Sequence, residues 1–355
     1  MRTLTVIFIS LLAAATAFFP LDCGAPLNPG AASWVERGLF PEYFYVNALT
    51  AATGVADPHN VYAAGQLGDN AVIIRYDGVN FVAEYARPGG GWNNGVRDVG
   101  FLNGKGWAGT SAYSDGRTVP VLLSREDDGW REIPLEGAGG SEGWVNNVYI
   151  IGDRSLWLLI FRMGKGYYLY KYTDGDLESY PQPGEVSSAA FARERNIIYC
   201  LANEHDKHTL YLSGDGGGYW YTENVAFDTL GYELESLRVA FAAGDEVYFV
   251  ATFQGEFAGL VRRGGSPGAG VYDLVFLSNQ NENFLGLEDA ARDEAGSICA
   301  VGAQTSVLFK DGQWVEEFLP SRTSFTHITA APTGGFFAAG YDSIFTKRTE
   351  LLYHP

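Results

Sequence analysis

Hydrophobic and polar positions alternate in short runs along most of this 355-residue chain, and the runs return at a regular interval. Seven small apolar runs align with one another: VYAAG from Val61, GWAGT from Gly106, LWLLI from Leu156, IYCLA from Ile198, VYFVA from Val247, ICAVG from Ile298 and FFAAG from Phe336, at spacings of 38 to 51 residues. A half-buried pattern precedes them, as in YFYVNA from Tyr43, GVRDVGFL from Gly95, GWVNNVYII from Gly143, LESLRVAFA from Leu234 and FTHITAA from Phe325. A third apolar strand follows (AVIIRY, YYLYKY, TLYLS, SVLFK), then a tight turn and an aromatic or apolar fourth strand such as NFVAEY, WREIPL or WVEEFL. A period in the forties with several short strands predicts a propeller, whereas helical solenoids need a 3.6-residue apolar period that the repeats lack. The expected fold is all-β: a seven-bladed β-propeller of four-stranded antiparallel blades, one domain over residues 33–355. The Ala, Gly and Cys content of the second strands predicts that they are squeezed between blades, where large side chains would not pack.

Turn chemistry supports the same division. The third and fourth strands are joined at Asp77-Gly78, Asp128-Gly129, Asp174-Gly175, Asp215 to Gly217, Gly264-Gly265 and Asp311-Gly312, and the last unit has Lys347-Arg348-Thr349 there instead. Asp bonds its own turn backbone and Gly takes positive φ without steric cost, which makes this a hairpin signal. Closure of the ring is expected from the N-terminus: SWVERGLF, residues 33–40, resembles QWVEEFL at Gln313 to Leu319 yet stands before the first unit. An N-terminal strand added to the last blade would hold the ends together against chain entropy. ELLYHP at the C-terminus could fill the same fourth position, leaving SWVERGLF as an extra outer strand.

The composition refines this picture. Residues 1–22 hold one early Arg, an apolar run from Leu4 to Phe19 and small residues at Ala15 to Ala17, and read as a signal peptide; residues 23–32 read as a flexible linker. The mature protein is then expected outside the cytoplasm, secreted or at the cell envelope, with no membrane span. Cys23 is a candidate lipid anchor, although Asp22 departs from the small residue a lipobox has before its cysteine. Cys200 and Cys299 lie in apolar runs of different repeats and read as small buried side chains. A formal net charge of −18 sets up a field that repels phosphate backbones, so nucleic acid is excluded as a partner. A monomer is expected.

Ser213, Asp215, Gly217 and Trp220 reproduce an S-x-D-x-G-x-x-W arrangement. It resembles the Asp-box of sialidase-like propellers, and it falls on the third-to-fourth turn where that family has it. Ser124 with Asp128, Gly129 and Trp130 resembles a shorter copy. The resemblance implies a structural hairpin on the blade periphery: carboxylate and hydroxyl satisfy turn amides while the indole packs between blades. Sialidases also carry an R-I-P motif near the N-terminus, which is absent here, so sialidase chemistry is not expected.

Other candidate chemistry is sparse. His205, Asp206 and His208 sit in one loop without a second ligand cluster, so no metal site is expected, and no cofactor motif occurs. Two loops carry the same signature, Gly91-Trp92-Asn93-Asn94 and Gly143-Trp144-Val145-Asn146-Asn147. An indole face and directional amides suit a sugar or a peptide, which makes Trp92, Asn93, Asn94, Trp144, Asn146 and Asn147 the candidate ligand-binding residues; the competing reading is a repeated packing role. Non-catalytic binding of protein or carbohydrate is therefore the expected function. A carbohydrate-active hydrolase or lyase is the alternative, and an envelope structural or assembly factor a third. The enzyme predicts two carboxylates or an arginine cluster converging at the channel mouth, and the binding module predicts aromatic and amide side chains.

Overall fold

The computed structural model describes residues 34–52, 60–88, 95–126, 129–135, 142–180, 186–204, 207–215, 217–226, 231, 233–254, 257–278, 286–303, 305–319, 323–342 and 348–355. Residues 34–355 form one unit built of seven four-stranded antiparallel sheets, a seven-bladed β-propeller. In six blades the strands follow chain order from the innermost outwards. The innermost strands are Phe44–Ala51, Asp98–Leu102, Gly143–Gly152, Ser188–Ala192, Leu234–Ala243, Leu287–Arg292 and, in blade seven, Ser324–Ala330. Residues from all seven line one central channel of about 580 Å³.

The second strands are buried along their length, as the seven apolar runs require. Their fifth residue explains the small side chains in part. A Cβ added to Gly65, Gly302 or Gly340 would collide with the backbone oxygen of Tyr45 or Ser324 in the adjoining innermost strand, or of Gly286 just before it. The expectation that large side chains are excluded fails elsewhere: Trp157, Tyr199, Phe249, Phe336 and Phe337 are fully buried in these strands. Room comes from the neighbouring blade. Trp157 packs edge-on against Tyr180, and both rings lie against Gly217 of blade four, where a Cβ would stand 2.6 Å from Tyr180 and 3.3 Å from Trp157. Cys200 and Cys299 are buried and free.

The Ser213 to Trp220 turn is organised by its own side chains. Ser213 Oγ donates to Asp215 Oδ1 at 2.7 Å and accepts from the Gly217 N–H at 2.8 Å, while Asp215 Oδ1 also accepts from the Tyr219 N–H at 3.0 Å. The Tyr219 amide and the Ser213 hydroxyl hold the Asp215 carboxyl below the usual range. Gly217 sits at φ +93°, in the left-handed region that a turn of this kind needs. Trp220 packs partly buried against the Trp157 cluster.

Blade seven is completed by the start of the chain. Val35–Leu39 pairs antiparallel with Arg348–His354, Val35 opposite Tyr353 and Leu39 opposite Glu350. Trp34 and Phe40 flank that strand and are buried; the Trp34 indole donates to Ser306 Oγ of blade six at 2.8 Å and meets the His354 ring edge-on at 5.3 Å. ELLYHP thus lies in the third strand of blade seven, with residues 35–39 as the fourth. Arg348 and Thr349 are likewise strand residues, which corrects the reading of Lys347 to Thr349 as the last turn; Lys347 itself lies outside the described residues. Closing the ring through the chain start removes the need for a third-to-fourth hairpin in this blade.

Ion pairs tie several seams together. Glu223 of blade four and Arg263 of blade five are buried and paired twice, at 2.6 and 3.0 Å. Tyr272 Oη at 2.9 Å and the Gly268 N–H at 2.8 Å donate to the same carboxylate, and Arg263 donates to the carbonyls of Gly265 and Ser266. Burial alone would raise the Glu223 carboxyl, but the Arg263 and Tyr272 hydrogen bonds outweigh it and the group is held below its ordinary range.

Candidate functional site

The innermost strands all enter the ring from the same face, so the loops that join one blade to the next and the second-to-third hairpins share it. Seven equivalent positions face the channel just inside that entry: Ala48, Asp98, Asn147, Ser188, Arg238, Asp289 and His327. Each pairs with the fourth residue of its blade's small apolar run: Ala64, Gly109, Leu159, Leu201, Val250, Val301 and Ala339. Six of the seven are polar. Three of them staple blades in alternation: Asp98 Oδ2 accepts the Val148 N–H at 2.8 Å, Ser188 Oγ the Val239 N–H at 3.0 Å and Asp289 Oδ2 the Ile328 N–H at 3.1 Å. Their second-blade partners are inner-strand amides that would otherwise face the channel unpaired.

Burial pushes the Asp98 and Asp289 carboxyls up to about 6, although two backbone N–H groups favour each anion and Arg238 also opposes the shift at Asp289. Burial and then Arg238 pull the His327 imidazole down to about 4, against a hydrogen bond to Val46. The two shifts act on stability with opposite signs. The folded state holds the aspartyl proton more tightly than the unfolded state, so that stabilisation is present below about pH 4 and is lost as pH rises through about 6. It holds the histidine proton less tightly, so stability is gained as pH rises from about 4 to 6.5. Measured by urea unfolding from about pH 4.5 to 6.5, the difference Asp98→Asn minus wild type should rise by about 1–2 kcal/mol, and His327→Gln minus wild type should fall by about as much. Differences of the same sign would contradict this assignment.

Above the ring, on blades two and three, lies an aromatic platform. Trp144 stacks on Phe161 with centroids 4.3 Å apart, and Phe161 meets Tyr167 edge-on at 5.0 Å. The Arg97 guanidinium sits over the Trp144 indole at 5.4 Å, and Arg162 lies over Tyr168 and Tyr170 at 4.9 and 5.1 Å. Burial lowers the Arg97 guanidinium from its usual value, yet it remains a cation at neutral pH. Among the described residues no carboxylate pairs with Arg162. Pairing of Gly143 with Arg162 and of Trp144 with Phe161 fixes these side chains at the entry end of the blade. Trp144, Phe161, Tyr167, Arg97 and Arg162 are all half-buried.

Of the sequence-predicted candidates, Trp144, Asn146 and Asn147 are brought together: Trp144 Nε1 donates to Asn146 Oδ1 at 3.4 Å, and Asn146 Nδ2 to Asn147 Oδ1 at 2.7 Å. Asn146 and Asn147 line the channel and Trp144 stands at its rim, so packing and exposure coexist at this motif. Trp92, Asn93 and Asn94 lie outside the described residues, as do His205 and Asp206. His208 Nδ1 lies 2.7 Å from Asn203 Oδ1, and no group of three metal-ligating side chains occurs among the described residues. Sequence reasoning missed the channel ring and the arginines. A signal was present: Asp98, Asn147, Arg238 and His327 stand at one register of the half-buried first strands, where an alternating strand places them on the channel face.

No family model matches the chain, and no curated protein matches it in sequence. Solved structures share its fold. YCF48 bound to D1 peptide superposes with a TM-score of 0.62 at 16% identity, over 93% of this chain and 96% of that one. The β-propeller domain of Cps50 (Swd1) from Myceliophteria thermophila gives 0.59 at 11% identity, covering 89% of this chain and 100% of that domain. A puromycin-hydrolyzing peptidase from Mycobacterium tuberculosis gives 0.58 at 12% identity, over 90% of this chain and 55% of the peptidase. Identities this low establish the propeller alone, and the three neighbours differ in what they do.

Proposed function

We propose that this chain is a non-catalytic recognition propeller, working outside the cytoplasm as a monomer, that binds a protein segment on its entry face across blades two and three. The observation that carries the reading is the Trp144, Phe161 and Tyr167 platform flanked by Arg97 and Arg162 at the channel rim. Tryptophan, tyrosine and arginine are the side chains that dominate protein interfaces, because each offers a large contact area and directional hydrogen bonds at low entropic cost. Two cations presented on a chain of net charge −18 are a local exception to its field. The neighbour with a bound peptide supports a propeller of this size as a peptide receptor. The extracytoplasmic setting rests on the leader-like residues 1–22.

A hydrolase or lyase is disfavoured by the state of the channel carboxylates. Asp98 and Asp289 each accept two backbone N–H bonds at a blade seam, which leaves neither poised as an acid–base pair across a substrate. Site-specific photo-crosslinking from Tyr167 tests the binding reading: a covalent adduct with a partner polypeptide is expected, and Arg162→Ala should diminish it.

A further inference from the structure

The half-buried arginines of this chain mostly stand beside a carboxylate. Arg75 and Arg125 meet Glu84 at 2.6 and 3.0 Å, Arg87 meets Glu132 at 2.9 Å, Arg262 meets Asp273 at 2.8 Å and Arg348 meets Glu42 at 3.4 Å. Arg97 lies on the Trp144 indole. Arg162 is half-buried with no acidic partner: its guanidinium rests over the rings of Tyr168 and Tyr170 at 4.9 and 5.1 Å. Glu142 is close in the fold, its carbonyl accepting the Met163 N–H at 2.8 Å, yet its carboxylate forms no ion pair with Arg162. The Arg162 Nε–H is buried without an acceptor, and neither terminal amino group donates to another residue. Unlike Nε, those terminal groups are not enclosed, so an acceptor from outside can reach them.

A cation held partly out of water without a counter-charge is costly, and contact with aromatic rings offsets only a fraction of that cost. The same rings fix the plane of the guanidinium, so its fork is oriented before a carboxylate arrives. Phe161 of the aromatic platform immediately precedes Arg162 on the strand Ser155–Arg162. Their Cα atoms are therefore about 3.8 Å apart and their side chains leave opposite faces of the blade. An extended segment advances about 3.3 Å per residue, which sets residues one or two apart over these two positions.

We infer that the segment bound on the entry face carries an aspartate or glutamate one or two residues from an apolar or aromatic anchor, the anchor packing against Trp144, Phe161 and Tyr167 and the side-chain carboxylate accepting from the terminal N–H groups of Arg162. This names the chemistry of the partner and rests on the recognition function proposed above. The net charge of −18 repels an acidic segment at a distance, but physiological salt screens that field over about 8 Å, and inside that range the Arg162 contact dominates.

Selection of phage-displayed random peptides, their C-termini fused to the coat protein, on the full chain and on Arg162→Gln at about 0.15 M salt tests the inference. The wild-type pool should be enriched in Asp or Glu one or two positions from Trp, Tyr, Phe or Leu. The Arg162→Gln pool should keep the apolar enrichment and lose the acidic one. A synthetic, C-terminally amidated peptide from the wild-type pool should bind about ten-fold more weakly when its acid is changed to the amide, and Arg162→Gln should remove that difference. Enriched peptides without an acid, or an acidic preference that survives Arg162→Gln, would overturn the inference and leave the recognition reading standing. A selection that yields no binding peptide would contradict the recognition reading and this inference with it. The acid-to-amide comparison uses the unaltered protein, so it decides the matter even if Arg162→Gln does not fold.

Discussion

A chain lacking residues 33–40 is expected to lose its cooperative thermal transition, or to melt tens of degrees below the full-length protein. The deletion removes the outermost strand of blade seven and with it two buried aromatic side chains, Trp34 and Phe40. Truncating a buried large aromatic residue costs about 3–5 kcal/mol, so the pair approaches the whole stability of an ordinary domain. The indole bond to Ser306 is lost as well, and the third strand Arg348–His354 becomes an open edge. Scanning calorimetry on the two chains is the check, and a synthetic 33–40 peptide added in trans should recover part of the transition by mass action. An unchanged midpoint would mean that the ring does not depend on this strand.

Arg263→Met should destabilise the propeller by about 3–5 kcal/mol, because it leaves the Glu223 carboxylate buried without its cation. The double variant Arg263→Met with Glu223→Leu should recover most of that loss, since a buried ion pair is often no better than hydrocarbon of similar volume. The contrast between single and double variants in urea unfolding identifies the mechanism. Equal losses in both would assign the cost to packing instead. The single variant should also become less unstable on acidification, as protonation neutralises the stranded carboxyl.

Much of the fold is legible because each level of the chain repeats the same message. The small apolar runs recur, the turns after most third strands carry Asp and Gly, and most outer strands are aromatic or apolar. The second strands defeat a local reading. Whether Trp157 can be buried there depends on Gly217 of the next blade, a relation between residues sixty positions apart that no period within one unit reveals. Blade seven is misread at Lys347 to Thr349 for a related reason: its outermost strand lies at the other end of the chain, so the local turn rule does not apply.

The candidate site is legible in a different measure. Trp144, Asn146 and Asn147 stand out by composition and come together at the channel. Phe161, Tyr167, Arg97 and Arg162 do not, because each looks like an ordinary strand residue until cross-strand pairing sets Trp144 opposite Phe161. The channel ring could have been found by aligning the first strands on the apolar runs that follow them. Asn147, Arg238, Asp289 and His327 then each fall twelve residues before the fourth position of the run, Asp98 and Ser188 lie one residue to either side, and blade one has Ala48 in their place; a bulge such as that between Val145 and Asn147 is what hides the ring from simple counting.

Recognition by the entry face is tested most directly by placing a photo-crosslinking residue in turn at Tyr167 and at Tyr113, both at the entry ends of their blades, and at Val79 in the turn on the opposite face, 79% exposed. With cells producing the full-length chain, adducts to a discrete partner polypeptide are expected from Tyr167 and Tyr113 and not from Val79. Adducts from Val79 with none from either entry-face position would contradict the account.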